Sequence, residues 1–252
     1  MFPLHDDNPT EIFPVVTLAL IGLSVGAWAY LQGGGFNPEA LDWSVCGLGA
    51  IPAEITGGLG DSPGRLPVRG PCALGGLTWE ALATSIFLHG SWAHLLGNMW
   101  FLWIFGNNVE DSMGHLRFLV FYLLTGVIAA LGYVAVDPTS TVPLVGASGA
   151  ISAIMGAYLV LYPRARVATL FVFVIVFKVI RLPAFVMLGM WFAYQLLASL
   201  VTPAGAGGGV AFAAHVAGFL AGVSLILAFQ DPSLVAAKRS QAGSLGSTRF
   251  HR

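Results

Sequence analysis

Long apolar runs, separated by short polar or glycine-rich connections, make up most of the chain. An α-helix needs ~20 such residues to cross a bilayer. Runs near that length lie at 13–31, 92–109, 117–136, 144–162, 183–201 and 210–229. This pattern predicts an all-α polytopic membrane protein, with a bundle of six transmembrane helices within residues 1–229.

A seventh apolar run, residues 167–180, is too short to count as a crossing. Arg164 and Arg166 precede it, and Lys178 and Arg181 lie at its far end. Basic residues favour the cytoplasmic side of a membrane, so both ends of the run belong on that side. We therefore expect a re-entrant or interfacial segment that dips and returns.

Composition indicates a membrane protein, and the charge distribution predicts how its helices are oriented across the membrane. Of the 252 residues, 56% are hydrophobic and only 9% are charged, whereas soluble domains carry roughly a quarter charged residues. The basic end "KRSQAGSLGSTRFHR" and an even number of crossings place both termini in the cytoplasm. We expect a multi-pass protein of the cell (inner) membrane, with a disordered cytoplasmic tail at 230–252.

The longest connection, residues 32–91, is extracytoplasmic in this topology. Loops of that length usually carry structure or function of their own, and "LTWEALATSIFL" within it has the apolar spacing of an interfacial helix. Cys46 and Cys72, which are the only cysteines, both lie in this loop. An oxidising compartment permits a disulfide between them, but two separate thiols remain an alternative.

A few polar side chains lie in the apolar runs, where they are costly and usually face an interior. His94 and Asn98 share one face of the second helix because they are four residues apart. Ser148 lies in the fourth helix and His215 in the sixth. His94, Ser148 and His215 fall within ~5 to 8 Å of the predicted outer helix ends, so these side chains converge on one shallow layer.

Small residues at four-residue spacing allow two helices to approach closely in lipid. They occur on two alternative faces of the fourth helix and on one face of the sixth: Gly149, Ala153 and Ala157, or Ser148, Ser152 and Gly156, against Ala214, Gly218 and Gly222. A close crossing of these helices near Ser148 is therefore expected.

Each polar residue also has a purely structural explanation. A serine among glycines is commonly a packing residue, and its hydroxyl bonds within or between helices. His215 alone fits a structural hydrogen bond or a proton relay, and His94 with Asn98 fits a polar clamp. A zinc site is disfavoured because no carboxylate or thiol shares their face.

Four motifs in order resemble the rhomboid family of intramembrane serine proteases: "HGSWAHLLGN", "GNNVEDSMG", "GASG" and "AHVAGFLAG". The resemblance implies that Ser148 is the nucleophile and His215 its general base. It also implies an oxyanion hole formed by His94, Asn98 and the backbone N–H of Ser148. A serine hydroxyl needs such a base, and no acidic residue lies in the fourth or sixth helix, so we expect a Ser-His dyad.

Two features bear on this resemblance. Many relatives have an aromatic residue four positions after the nucleophile, where it packs on the histidine, but this chain has Ser152. The segment "VTPAGAGGGVAF" ahead of the sixth helix is either a mobile cap over the site or a plain flexible turn.

Glu110, Asp111 and Arg117 are expected to stabilise a cytoplasmic loop.

The predicted function is that of a serine endopeptidase that cleaves transmembrane segments of protein substrates near their outer ends. Its partners are those segments and the lipid bilayer; no cofactor, metal or nucleic acid is implied. One alternative is a catalytically silent relative that binds membrane-protein clients. A small transporter is the other, although its charges or interrupted helices would lie near the midplane.

Overall fold

Helices account for most of the computed structural model, which describes residues 2–57, 72, 78–173, 176–201, 209–236 and 238. Its helices are α1 (Val15–Gly26), α2 (Pro38–Leu48), α3 (Pro52–Ile55), α4 (Ala81–Thr84), α5 (Trp92–Phe101), α6 (Asn107–Met113), α7 (His115–Val136), α8 (Ser148–Leu161), α9 (Ala184–Val201) and α10 (Gly209–Phe229). The strands are β1 (Phe2–Asp6), β2 (Arg166–Phe173) and β3 (Val176–Pro183).

Three helices of the described chain are long and apolar enough to cross a membrane: α7, α9, and α10 over Phe212–Phe229. Two shorter apolar helices, Val15–Leu31 and α8, accompany them. Val15–Leu31 consists of α1 and a π-helical turn that follows it, and a similar turn at Leu102–Gly106 joins α5 to α6. The helical stretches thus follow the apolar runs of the sequence.

The close crossing predicted for the fourth and sixth apolar helices is confirmed as the contact between α8 and α10. A Cβ added at Gly218 would collide with the carbonyl of Gly149, and one at Gly222 with the carbonyl of Ala153. Residues of both predicted faces of α8 meet α10, because a Cβ at Gly156 would also collide with the carbonyl of Phe219. This contact brings the start of α8 beside the first turns of α10.

The all-α expectation holds only in part, because the mostly helical structure also contains a three-stranded antiparallel sheet. Strand β2 pairs with β1 on one side and with β3 on the other. The apolar run at 167–180 does turn back on itself, but as a β-hairpin. Its Val, Ile and Phe residues favour strands, and β1 gives the hairpin a third strand, which an isolated hairpin needs for stability.

The connection at 32–91 is partly described. Cys46 and Cys72 form a disulfide, so the bridge is the alternative that the structure contains. The interfacial helix expected in "LTWEALATSIFL" is limited to α4 and a 3₁₀ turn at Ser85–Phe87. Ala81 and Leu82 of α4 are buried in a small apolar cluster with Tyr133 of α7, which holds this loop against the bundle.

A largely buried set of polar residues on and beside α6, called here the Glu110 cluster, consists of Asp6, Asn108, Glu110, Asp111 and Lys238. Glu110 accepts hydrogen bonds from the backbone N–H groups of Val16 and Thr17 at 2.9 and 2.8 Å. Asp111 accepts from Lys238 Nζ at 2.8 Å. The cluster therefore satisfies the free N–H groups at the start of α1.

The first part of the tail predicted to be disordered over 230–252 is folded against the bundle. Residues 232–236 are helical, Val235 is buried, and Lys238 is only 3% exposed. The ammonium group of Lys238 donates to Asn108 at 2.6 Å as well as to Asp111. These bonds hold Lys238 against α6. Residues 237 and 239–252 lie outside the described part of the chain.

Candidate active site

The start of α5 positions His94 and Asn98. Ser91 is the N-cap, and its side chain accepts a hydrogen bond from the His94 N–H at 3.1 Å. The N–H of Gly90 donates to His94 Nδ1 at 3.4 Å. Nδ1 is then the acceptor of the ring, so Nε2 carries the proton and can donate.

Helix α8 begins at Ser148 and not at 144 as predicted, because the residues before it are held in an extended path. Leu144 pairs with Ala50 through two backbone hydrogen bonds. The N–H of Gly146 donates to the carbonyl of Ser85 at 2.8 Å, and Gly146 has a φ of 123°. Ser148 is therefore the first helical residue, where a backbone N–H has no partner within the helix.

Gly146 brings the two halves of the site together. A Cβ at this position would lie 2.6 Å from His94 Nε2 and 3.5 Å from Asn98 Nδ2. The backbone just ahead of Ser148 thus runs directly past both side chains, and a larger residue would be strained and obstructed. Asn98 Nδ2 is buried and has no hydrogen-bond partner among the described residues.

His215 of α10 lies between two polar side chains. Its Nε2 is 2.8 Å from Ser148 Oγ, and its Nδ1 is 2.9 Å from Oε1 of Gln195 in α9. Since an amide oxygen only accepts, Nδ1 carries the proton and Nε2 presents its lone pair to the serine hydroxyl. The structure therefore brings Ser148 and His215 together and adds Gln195 on the far side of the imidazole.

An aromatic residue does lie near His215, but it comes from a different helix than expected. The ring of Trp191 in α9 is centred 6.0 Å from the imidazole at an angle of 38°. Ser152 instead donates to the carbonyl of Ser148 at 2.6 Å. The ring support expected from α8 is thus replaced by one from α9.

The four predicted side chains line one cavity of about 280 Å³. They are His94, Asn98, Ser148 and His215, and Gln195 joins them. Most of the remaining wall is apolar, for example Ile151, Met155 and Trp191. A space of this kind suits an apolar ligand whose one polar group is directed at the serine.

His89 lies beside this group without belonging to it. Its ring is 5.1 Å from that of His94, and neither of its ring nitrogens has a partner in the described residues. Burial, and then the neighbouring His94, lower the pKa of His89 to about 3. Gln32 holds the backbone of His89 through two hydrogen bonds, so His89 is a neutral packing residue behind the site.

Sequence reasoning missed Gln195 and Trp191. The fourth and sixth helices contain no acidic partner for His215, and both Gln195 and Trp191 lie in the fifth. Gln195 is a neutral amide in the fifth, where a polar side chain in an apolar helix was itself a signal. The expected cap "VTPAGAGGGVAF" includes residues 202–208, which lie outside the described residues.

Comparison with known proteins identifies the class. The profile of the Rhomboid domain family matches residues 76–231, more than half of the chain. This segment includes α5, α8, α9 and α10, from which the site is built. The chain belongs to the rhomboid family, and its mostly helical fold is that of a polytopic membrane bundle.

Three relatives illustrate the similarity. Rhomboid-like protein 11, chloroplastic, of Arabidopsis thaliana is 44% identical over 73 residues, which are 29% of this chain and 26% of the relative. Rhomboid protease GluP of Bacillus subtilis is 41% identical over 81 residues, 32% and 15% of the two chains. The human mitochondrial presenilin-associated rhomboid-like protein is 36% identical over 89 residues, 34% and 24% of the chains. The matches thus cover about a quarter or less of these relatives.

Proposed function

We propose that this protein is an intramembrane serine endopeptidase that uses Ser148 as nucleophile and His215 as general base. The observation that carries the proposal is the 2.8 Å separation of Ser148 Oγ and His215 Nε2. Both side chains line the cavity that His94 and Asn98 also line. Membership of a family that includes a relative named as a protease supports the same reaction.

The first half of the reaction forms an ester with the enzyme. Ser148 Oγ attacks the scissile carbonyl carbon while His215 Nε2 takes the hydroxyl proton. As the tetrahedral intermediate collapses, the C–N bond breaks and the imidazolium returns the proton to the leaving amine. Water then attacks the ester with His215 again as base, which releases the acid and restores the Ser148 hydroxyl.

The negative oxygen of the tetrahedral intermediate needs donors that are already in place. Three groups near Gly146 supply these donors. They are Asn98 Nδ2, His94 Nε2–H and the backbone N–H of Ser148. Asn98 Nδ2 suits this role because no other described residue occupies it. One such donor is worth about a hundredfold to a thousandfold in other acyl-transfer enzymes.

The proposal extends to the substrate and to the orientation in the membrane. The apolar walls of the cavity fit a transmembrane segment of another protein, whose carbonyl groups become accessible where its helix is weakened. We propose that the six apolar stretches all cross the cell (inner) membrane and that both termini are cytoplasmic. The start of α8 then lies near the outer surface, where water can reach it.

The direct test uses the purified protein with a serine-reactive phosphonate probe and a model transmembrane substrate. Ser148→Ala should abolish both labelling and cleavage, whereas Ser224→Ala, an exposed serine on α10, should retain both. Full cleavage by the Ser148 variant would refute the assigned nucleophile. If the wild-type protein binds the substrate but neither reacts nor cleaves, it is instead a silent client-binding relative.

A further inference from the structure

Gln195 occupies a position that the proposed Ser-His reaction does not itself require. It is one of the few polar residues of α9, and its side chain is 7% exposed. Gln195 and Trp191 are four residues apart, so they lie on one face of the helix. Both contact the same imidazole, through a hydrogen bond at 2.9 Å and through the aromatic ring.

The hydrogen bond to Gln195 selects one tautomer of His215. A neutral imidazole carries its proton on either nitrogen, and only the form protonated on Nδ1 can accept the proton of Ser148 on Nε2. The amide oxygen of Gln195 stabilises that form. In serine proteases with a catalytic triad, loss of the correct tautomer lowers turnover by about ten-thousandfold.

The choice of an amide has a physical reason. An aspartate in this place would bring a negative charge into an apolar helix bundle, where an ionised side chain is costly. Gln195 provides the acceptor without that charge. The amide therefore orients His215 but does not offset the positive charge of the imidazolium as a carboxylate would.

We propose that Gln195 is a positioning residue that holds His215 in the productive tautomer and orientation, so that the site operates as Ser148, His215 and Gln195 in series. This proposal rests on the proposed function. It differs from a purely structural tie between α9 and α10, because such a tie would affect stability and substrate binding rather than the rate of the chemical step.

The experiment compares three substitutions in the full-length protein, measured as the rate and the affinity of phosphonate labelling. Gln195→Met keeps the length and volume of the side chain but removes the acceptor. We expect the maximal labelling rate to fall about 10- to 100-fold, with little change in probe affinity. Gln195→Glu restores an acceptor and should recover most of the rate.

Leu197→Ala is the matched control, because Leu197 lies on the same helix and is exposed. It should label like the wild type, and resistance to proteolysis shows which variants are folded. If Gln195→Met is not folded, Gln195→Ala takes its place in the comparison. Glutamate then remains the rescue variant.

Two outcomes separate this proposal from the one on which it rests. The positioning role is wrong if a folded Gln195→Met variant labels within twofold of the wild-type rate. It is also wrong if Gln195→Glu labels no faster than Gln195→Met. In either case, loss of labelling in Ser148→Ala still supports the nucleophile. If Ser148→Ala labels normally, the proposed function itself fails, whatever the Gln195 variants do.

Discussion

The bundle buries polar groups at both of its ends, and the two sets are organised differently. In the Glu110 cluster, Glu110 accepts hydrogen bonds on both carboxylate oxygens and Asp111 bonds to backbone and to Lys238. At the other end, Asn98 Nδ2 lies buried without a partner among the described residues. The carboxylates of Glu110 and Asp111 are paired, whereas the amide donor beside Ser148 is not.

This difference separates a structural role from a chemical one. A saturated cluster lowers the energy of the folded protein, and its loss leaves buried groups unpaired. A buried donor without a partner costs stability. Among the described residues with such an atom, only Asn98 also lines the cavity with Ser148, so its donor is available to a group bound there. Substitutions at the Ser148 end should therefore affect rate, and those in the Glu110 cluster should affect stability.

The largest effect is expected from His215→Ala. Without the imidazole nothing removes the proton of Ser148, so turnover should fall by about a thousandfold or more. Cleavage of a model transmembrane substrate measures it. His115→Ala is the control at the other end, where His115 contacts Glu110 at 2.6 Å, and it should leave the turnover of folded protein unchanged. Equal losses in the two variants would remove the distinction between the ends.

Asn98→Ala is expected to have the next largest effect. Removal of one oxyanion donor should lower kcat by about a hundredfold to a thousandfold with little change in KM. The free energy of unfolding should change by less than about 1 kcal/mol, since no hydrogen bond is lost. Leu96→Ala on the exposed side of α5 is the control. Unchanged kcat in Asn98→Ala would exclude this side chain from the oxyanion hole.

The Glu110 cluster should respond in the opposite way. Glu110→Gln replaces a carboxylate acceptor with an NH2 group that faces the N–H groups of α1, so the protein should lose about 2 to 4 kcal/mol of stability. Denaturant unfolding in detergent measures this loss, with Glu39→Gln on the surface as control. Turnover per folded molecule should stay near the wild-type value. A stable variant with reduced turnover would contradict the structural role.

The features that the sequence predicted are those that depend on local patterns. Apolar runs and small-residue spacing are local patterns, so they predicted the long helices and the contact of Gly149 with Gly218. The start of α8 depends on distant partners, since Gly146 is held by Ser85 and Leu144 by Ala50. Such pairings across the chain have no local signature, which is why the first helical residue was misplaced.

The errors at the edges of the bundle have a related cause. Residues 167–180 read as an apolar dip because their pairing with β1, far away in sequence, is not visible in the segment itself. Lys238 appeared to belong to a solvated tail because its partners Asn108 and Asp111 lie in another helix. Gln195 was missed for the same reason, since only the fold brings it to His215.

The smallest effect concerns Asp6, the member of the Glu110 cluster with the least compensation. Burial raises its pKa from 3.8 to about 6, against the opposing influence of Tyr158 and Lys238. Between those two values the folded state binds more protons than the unfolded state, so stability falls as pH rises from about 4 to 6. Above pH 6 the full cost of the buried charge is present.

Asp6→Asn removes this titration, so its stability relative to wild type should rise by about 2 kcal/mol between pH 4 and pH 7. Thermal or denaturant unfolding at several pH values measures the difference, and Asp7→Asn on the exposed side serves as control. If the two variants follow the same pH profile, Asp6 is not the group that titrates. If Asp6→Asn instead lowers turnover without changing stability, the polar group at this end also takes part in the reaction, and the division between the two ends does not hold.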